Sequence, residues 1–250
     1  MQTKPSFINE NDYKCLIEKY NGKKLERIIN KVENNYPIQY AIGYVPFLDT
    51  KIIVNKSVLI PRFETELLVY LLKEYIKKCD FNNANIIDLC TGSGCIAISL
   101  KKEFPTFSVF GVDKSIKAIR LAKKNAKINN QRIIFRKKDV LKSLEFDKKF
   151  SILVANPPYV KKDEFVTENT KFEPKMALFP GEDDIIFYKK ILDNSKNLLY
   201  KKNIIAFEIG STQSSRICEY AKKIYPNSEI VVRNDYNNYD RFIFIFNNCE

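Results

Sequence analysis

From residue 84 onward the chain alternates short apolar runs with stretches of helical periodicity, and this limits its fold more than any other feature. The runs ANIIDL, FSVFGVD, RIIFRKKD, FSILVAN and NIIAFEI are rich in Ile, Val and Phe and too short for free-standing helices, as buried strands are. Helical spacing follows at 95–102, 115–128, about 184–199 and about 213–224. Such an order predicts an α/β fold with a mostly parallel sheet covered on both faces. The last two strands, EIVVRN and RFIFIF, are joined by NDYNNYD, too short for a crossover helix, so the last strand is expected to run antiparallel.

Ahead of this region, Tyr13, Leu16, Ile17 and Tyr20, then Leu25, Ile28, Ile29 and Val32, predict two short helices broken at Asn21-Gly22. Pro37 opens an irregular segment, after which FLDTKIIVN and SVLIP are read as two strands of a hairpin turning near Asn55. Leu67, Leu68, Leu71, Leu72, Tyr75 and Ile76 mark an amphipathic helix from Glu64, with acids in its first turn and lysines in its last, as the macrodipole favours.

Ligands of open α/β sheets sit beyond the carboxyl ends of the strands. The first strand ends in Asp88-Leu-Cys90-Thr91-Gly92-Ser93-Gly94, a turn whose glycines let backbone approach a ligand; they also serve tight strand-to-helix packing. The second ends at Asp113, 19 residues beyond Gly94, where a carboxylate can accept from both ribose hydroxyls or cap the next helix. At the third, Asp139 and Val140 can hold an adenine amino group and ring, although Asp139 also suits a solvated loop. Ala97 is an allowed variant of the dinucleotide fingerprint, so the glycine turn does not choose the cofactor.

The fourth strand chooses it. Asn156-Pro157-Pro158-Tyr159 puts an amide oxygen and a carbonyl oxygen where two N–H groups of a planar NH2 can be accepted. Two prolines hold the acceptors still, and Tyr159 offers a ring face for stacking. A plain strand-terminating turn is the alternative. The chain has no histidine, and its six cysteines show no C-x-x-C spacing, so neither an imidazole base nor a zinc site is expected. An oriented nitrogen then needs an activated electrophile, and the methyl sulfonium of S-adenosylmethionine fits, because in-line geometry and desolvation suffice.

These residues resemble the HemK/PrmC family of S-adenosylmethionine-dependent protein-(glutamine-N5) methyltransferases. The likeness extends to Tyr36-Pro37-Ile38-Gln39-Tyr40, Gly43, and Val58 through Glu66 (VLIPRFETE). It continues in Phe172-Glu173-Pro174, Ala177-Leu178, Asp235-Tyr236 and Asp240-Arg241-Phe242, covering roughly residues 36–247. The resemblance implies a Rossmann-like class I methyltransferase with a seven-stranded sheet: a short helical docking segment at 1–35, a linker with a hairpin at 36–63, and the methyltransferase domain at 64–250.

It further implies methylation of the glutamine in the GGQ motif of class I peptide-chain release factors. By position, Cys90 to Gly94 serve the cofactor's methionine end, Asp113 its ribose, and Asp139 and Val140 its adenine, with Asp88 also counted among the cofactor-binding residues. Asn156 lies between cofactor and substrate, with Pro157, Pro158 and Tyr159 completing the glutamine pocket. Asn156, Pro157 and Tyr159 are the expected catalytic group, and Arg62 with the acids after it braces the site or caps a helix. About 35 residues precede the match where the family usually has a larger helical domain, so weaker docking, or docking through other surface, is expected.

The formal charge is +12, in lysine pairs such as Lys101-Lys102, Lys123-Lys124, Lys137-Lys138, Lys161-Lys162 and Lys222-Lys223. These read as scattered, without a stripe of arginines and aromatics, and Lys, Asn and Ile are enriched together as a coding bias would give. They leave room for ribosomal RNA as a further partner. Rival readings are an amino methyltransferase acting on adenine or guanine and a non-catalytic protein that binds the cofactor. With no apolar run of about 18 residues and no secretory signal, a soluble, monomeric, cytoplasmic protein is expected.

Overall fold

The computed structural model describes residues 4–161 and 167–249, so Lys162 of the Lys161-Lys162 pair lies outside the described residues. Helices α1 (Glu10–Lys19) and α2 (Gly22–Glu33) stand where the periodicity predicts them. Asn9 caps α1 by accepting from the Asp12 N–H, satisfying one of the donors a helix start leaves open. Ile8, Tyr13, Leu16 and Leu25 from this part close over Ala41 and Ile42 of a short helix α3 (Ile38–Ile42). That helix occupies the segment read as irregular; Gly43, at φ +94°, ends it by donating to Gln39 O.

The hairpin sits earlier than the sequence suggested. Strands β1 (Tyr44–Phe47) and β2 (Thr50–Ile53) pair antiparallel around a turn in which Leu48 has φ +46°. Val45, Phe47 and Ile52 face inward together, which fixes the register. SVLIP is not a strand, because its backbone groups are taken by side chains: Tyr40 donates its hydroxyl to Val58 O at 2.6 Å, and Ile60 N–H donates to Glu173 at 3.0 Å.

Helix α4 (Phe63–Lys78) then buries Leu68, Val69, Leu72 and Ile76, each worth roughly 1.5–3 kcal/mol. Strand β3 (Asn85–Leu89), helix α5 (Cys95–Glu103), strand β4 (Ser108–Asp113), helix α6 (Ile116–Ile128), and strands β5 (Ile134–Lys137) and β6 (Phe150–Ala155) follow. A 3-10 turn at Glu168–Phe172 leads into α7 (Lys175–Leu178), α8 (Ile186–Leu198), β7 (Leu199–Glu208), α9 (Ser214–Ile224), β8 (Glu229–Asn234) and β9 (Asp240–Asn247). The seven strands lie in the order β5-β4-β3-β6-β7-β9-β8. The first five run parallel, and β9 inserts antiparallel between β7 and β8. This is the α/β arrangement the alternation predicts.

Each face carries its own core. Helices α4, α5 and α6 and the hairpin cover one face through Leu68, Ile98, Ala122 and Phe47, and α8 and α9 cover the other through Tyr188, Ile191 and Ile217. Asn125, fully buried on α6, joins three elements: it accepts from Ile53 N–H and donates to Ile53 O and Ser93 O. The hairpin and the glycine turn are thereby held in one frame. Among the described residues, no helix is long and apolar enough to cross a membrane.

Candidate active site

The carboxyl ends of β3, β4 and β6 open onto a cavity of about 270 Å³. Cys90, Thr91, Gly92, Ser93, Asp113, Asp139, Val140, Asn156 and Pro158 line it, so most of the residues predicted from separate strand ends come together. Cys90 (φ +61°) and Gly92 (φ +53°) fold the turn back, and a Cβ on Gly92 would meet little but Cys90 O at 3.9 Å. Two of the predicted cofactor residues lie outside the lining. Asp88 is fully buried beneath the turn, where it accepts from Thr91 Oγ1 at 2.5 Å. Gly94 faces α6: a Cβ there would press on Ala122 Cβ at 3.1 Å and Phe135 Cζ at 3.3 Å, so this glycine serves packing.

Asp113 accepts from Gly92 N–H at 2.9 Å and Ser115 N–H at 2.8 Å. It pins the turn, while Ser115 is the residue that caps α6. Asp139 pairs with Lys114 at 2.9 Å and accepts from Leu141 N–H. Burial raises the pKa of Asp139, but Lys114 and that N–H outweigh it and hold the carboxyl below its ordinary range. Asp113 goes the opposite way, raised by burial against three backbone hydrogen bonds. Burial pushes Asp88 up to about 7, with the Thr91 hydroxyl opposing. Cys95 is pushed up to about 12 by burial, so it stands at neutral pH as a thiol and not as a nucleophile.

A second cavity, of about 380 Å³, lies beside the first and is lined by Pro157, Tyr159, Arg62, Glu173 and Gln39. Asn156 and Leu59 line both cavities, along with Ala177. Asn156 Nδ2 donates to Thr65 Oγ1 at 3.1 Å, and the Thr65 hydroxyl donates to Glu208 Oε2 at 2.7 Å. Neither Asn156 Oδ1 nor the Pro157 carbonyl oxygen accepts from any described residue. Tyr159 donates to Glu208 Oε1 at 3.3 Å, and the Arg241 guanidinium lies 5.9 Å from its ring centre. Val160 N–H donates to Leu178 O, tying the Asn-Pro-Pro-Tyr corner to α7.

Glu208 is the residue the strand-end reading misses. It is 1% exposed, and burial pushes its carboxyl up to about 7 against the Thr65 hydrogen bond. The signal was present: a lone acid inside the apolar run IIAFEI must find partners when buried. Glu173, also buried, accepts from Ile60 N–H and pairs with Arg62. Arg62 therefore braces the wall of the second cavity and leaves α4 without a side-chain cap from it.

The family model described as "Methyltransferase small domain" matches residues 63–177. The release factor glutamine methyltransferase of Thermodesulfovibrio yellowstonii is 41% identical over 77% of this chain and 70% of its own length. That of Flavobacterium psychrophilum is 37% identical over 87% of this chain and 78% of its own length. Among solved structures, the T. thermophilus 16S rRNA N2 G1207 methyltransferase (RsmC), in complex with AdoMet and guanosine, superposes with a TM-score of 0.58 at 14% identity. It covers 82% of this chain and 49% of that one, and the likeness is one of fold.

Proposed function

The chain belongs to the release factor glutamine methyltransferases, and we propose on that premise that it methylates the side-chain amide nitrogen of the GGQ glutamine in a class I peptide-chain release factor, with S-adenosylmethionine as methyl donor. One observation carries the reading to the residues: Asn156 stands in the wall shared by two cavities with its side-chain oxygen unclaimed.

The first cavity fits the donor by its chemistry. Asp113 retains lone pairs suited to ribose hydroxyls, Asp139 and Val140 pair an acceptor with an apolar wall, and the turn presents Cys90 to Ser93. When bound, S-adenosylmethionine supplies an electrophilic methyl group on a good leaving group. The chain's own residues do the rest. Asn156 Oδ1 and Pro157 O accept the two N–H groups of the glutamine amide, so its nitrogen lone pair is turned out of the amide plane's hydrogen-bond directions and toward the first cavity. Tyr159 supplies a face for the planar amide, and Glu208 holds the Tyr159 hydroxyl. Accepting both N–H bonds also enriches the nitrogen in electron density as the new C–N bond forms; the surplus proton then leaves to solvent.

The test is transfer of labelled methyl from S-adenosylmethionine to an unmodified release factor, its GGQ→GGA variant and ribosomal RNA, with peptide mass spectrometry of the product. Label confined to the GGQ glutamine, and lost in Asn156→Ala, is the expected result. Label in RNA alone would move the amide-binding corner to a nucleobase amine, and turnover retained in Asn156→Ala would sink the mechanism.

A further inference from the structure

The positive charge is not spread over the surface. Residues 114–138 contain ten of the 42 cations and none of the 30 acids, so this stretch carries +10 of the +12 formal charge and the rest of the chain only +2. A coding bias toward lysine acts along the whole chain and cannot produce that division. The fold then gathers the stretch in space. It forms α6 and β5, and β5 is the edge strand of the sheet, so both elements border one flank of the molecule. Lys117, Arg120, Lys123, Lys124 and Lys127 are exposed on α6, as are Arg132, Arg136 and Lys137 around β5. Among the described residues, the one ion pair in the stretch is Lys114 with Asp139.

Spacing and surroundings identify the partner. Lys117, Arg120, Lys124 and Lys127 recur at three- and four-residue steps, a row of charges about 5 Å apart along the helix axis at 1.5 Å per residue. Where α6 ends, a groove of about 530 Å³ has an apolar floor, Val109, Ala126 and Ile133 to Phe135, and also carries Lys101, Lys123, Lys127, Arg132, Ser108 and Gln131, cations and hydrogen-bond donors suited to phosphate oxygens. A protein interface needs a contiguous apolar centre. Here the exposed Ile116 and Ile128 stand at opposite ends of α6, about 18 Å apart, with cations between them, and the exposed Ile134 stands on β5 between Arg132 and Arg136 in the chain.

We propose that the α6–β5 flank is a docking surface for the phosphodiester backbone of RNA, read without regard to sequence. The choice of RNA over DNA rests on the release-factor reading, because such a substrate works among RNA-rich assemblies. The flank reaches the first cavity only at Lys114, Ser115 and Ala118, on the side of Asp113 and Asp139, so a bound strand leaves the Asn156 corner open.

The test is fluorescence anisotropy with a labelled ~20-nucleotide uridylate oligomer, its DNA counterpart, an RNA duplex and polyglutamate, between about 50 and 200 mM KCl. Wild-type protein is expected to prefer the RNAs, with affinity falling steeply as salt rises. Arg120→Glu with Lys123→Glu and Lys127→Glu should weaken RNA binding at least about tenfold and flatten the salt slope by about 2, at roughly 0.7 per phosphate contact. Lys78→Glu with Lys196→Glu and Lys201→Glu makes the same change in net charge elsewhere, and should stay within about threefold of wild type. Both triple variants should methylate the release factor normally, which establishes that they fold and separates this result from the methyl-transfer reading. No RNA binding by wild type, equal loss in both triples, or tighter binding of polyglutamate or DNA than of RNA would each overturn the proposal.

Discussion

The Thr65 hydroxyl donates to Glu208 Oε2 at 2.7 Å, and that bond decides which way the Asn156 amide faces. A hydroxyl has a single proton. With it committed to Glu208, Thr65 can only accept from Asn156, so the Nδ2 side turns to Thr65 and the oxygen is left for the second cavity. Thr65 starts helix α4 and Glu208 ends strand β7, so a helix-to-sheet contact sets the orientation of a side chain on a third element.

Thr65→Val keeps the shape and removes the hydroxyl. We expect kcat to fall about tenfold, the worth of one buried hydrogen bond of about 1.4 kcal/mol, with KM for the methyl donor little changed and Thr65→Ser restoring most of the rate. An unchanged kcat in steady-state assays of the valine variant would show that Asn156 is oriented by other means.

Glu208 ties stability to pH. Its folded pKa, about 7, lies above the ordinary carboxyl value, so the folded state holds its proton more tightly than the unfolded state. The stabilisation is complete below about pH 4.5 and is lost as pH rises through about 7, amounting to roughly 3 kcal/mol. Asp88, also at about 7, contributes with the same sign. Thermal melts of wild type and Glu208→Gln across pH 4.5–8 isolate the Glu208 part: the variant should gain on wild type as pH rises. Parallel curves would contradict this.

Phe63 and Tyr236 stack with ring centres 5.3 Å apart, yet are 63% and 68% exposed. Phe63 follows Arg62, which lines the second cavity, and exposed aromatics of this kind anchor protein partners. Phe63→Ala should raise KM for the release factor several-fold, about 1 kcal/mol, and leave KM for the methyl donor unchanged. A rise in both would place the effect on the fold.

Gly111 on β4 has no room for a methyl group, because a Cβ would lie 2.5 Å from the Phe135 ring and 3.1 Å from Thr91 Oγ1. Gly111→Ala should cost roughly 1–3 kcal/mol in denaturant unfolding, as overpacked cores do. Phe135→Leu in the same background should recover part of the loss; no recovery would point to a different strain.

Strand ends were legible in the sequence because a doubly wound sheet brings them together by rule. Asp113, Asp139 and Asn156 needed only the alternation of strands and helices to be placed at one cavity. The hairpin was misread because its turn uses Leu48 at positive φ, which no Asn-Gly or Gly signal announces, and because side chains from distant segments satisfy SVLIP. The basic flank was half visible. The acid-free run can be counted in the sequence, but its placement along one border of the sheet follows from β5 being the edge strand.

The sequence by itself determined the alternating architecture, the glycine turn and the Asn-Pro-Pro-Tyr corner, since each is local: periodicity, φ preference and lost N–H groups act within a few residues. Tertiary structure alone decided that Thr65, 143 residues from Glu208, donates to it while accepting from Asn156, and that Arg62 meets Glu173 across 111 residues. The physical reason is burial. A carboxylate removed from water must take whatever donors the packing brings to it, and no local pattern in the chain says which those will be.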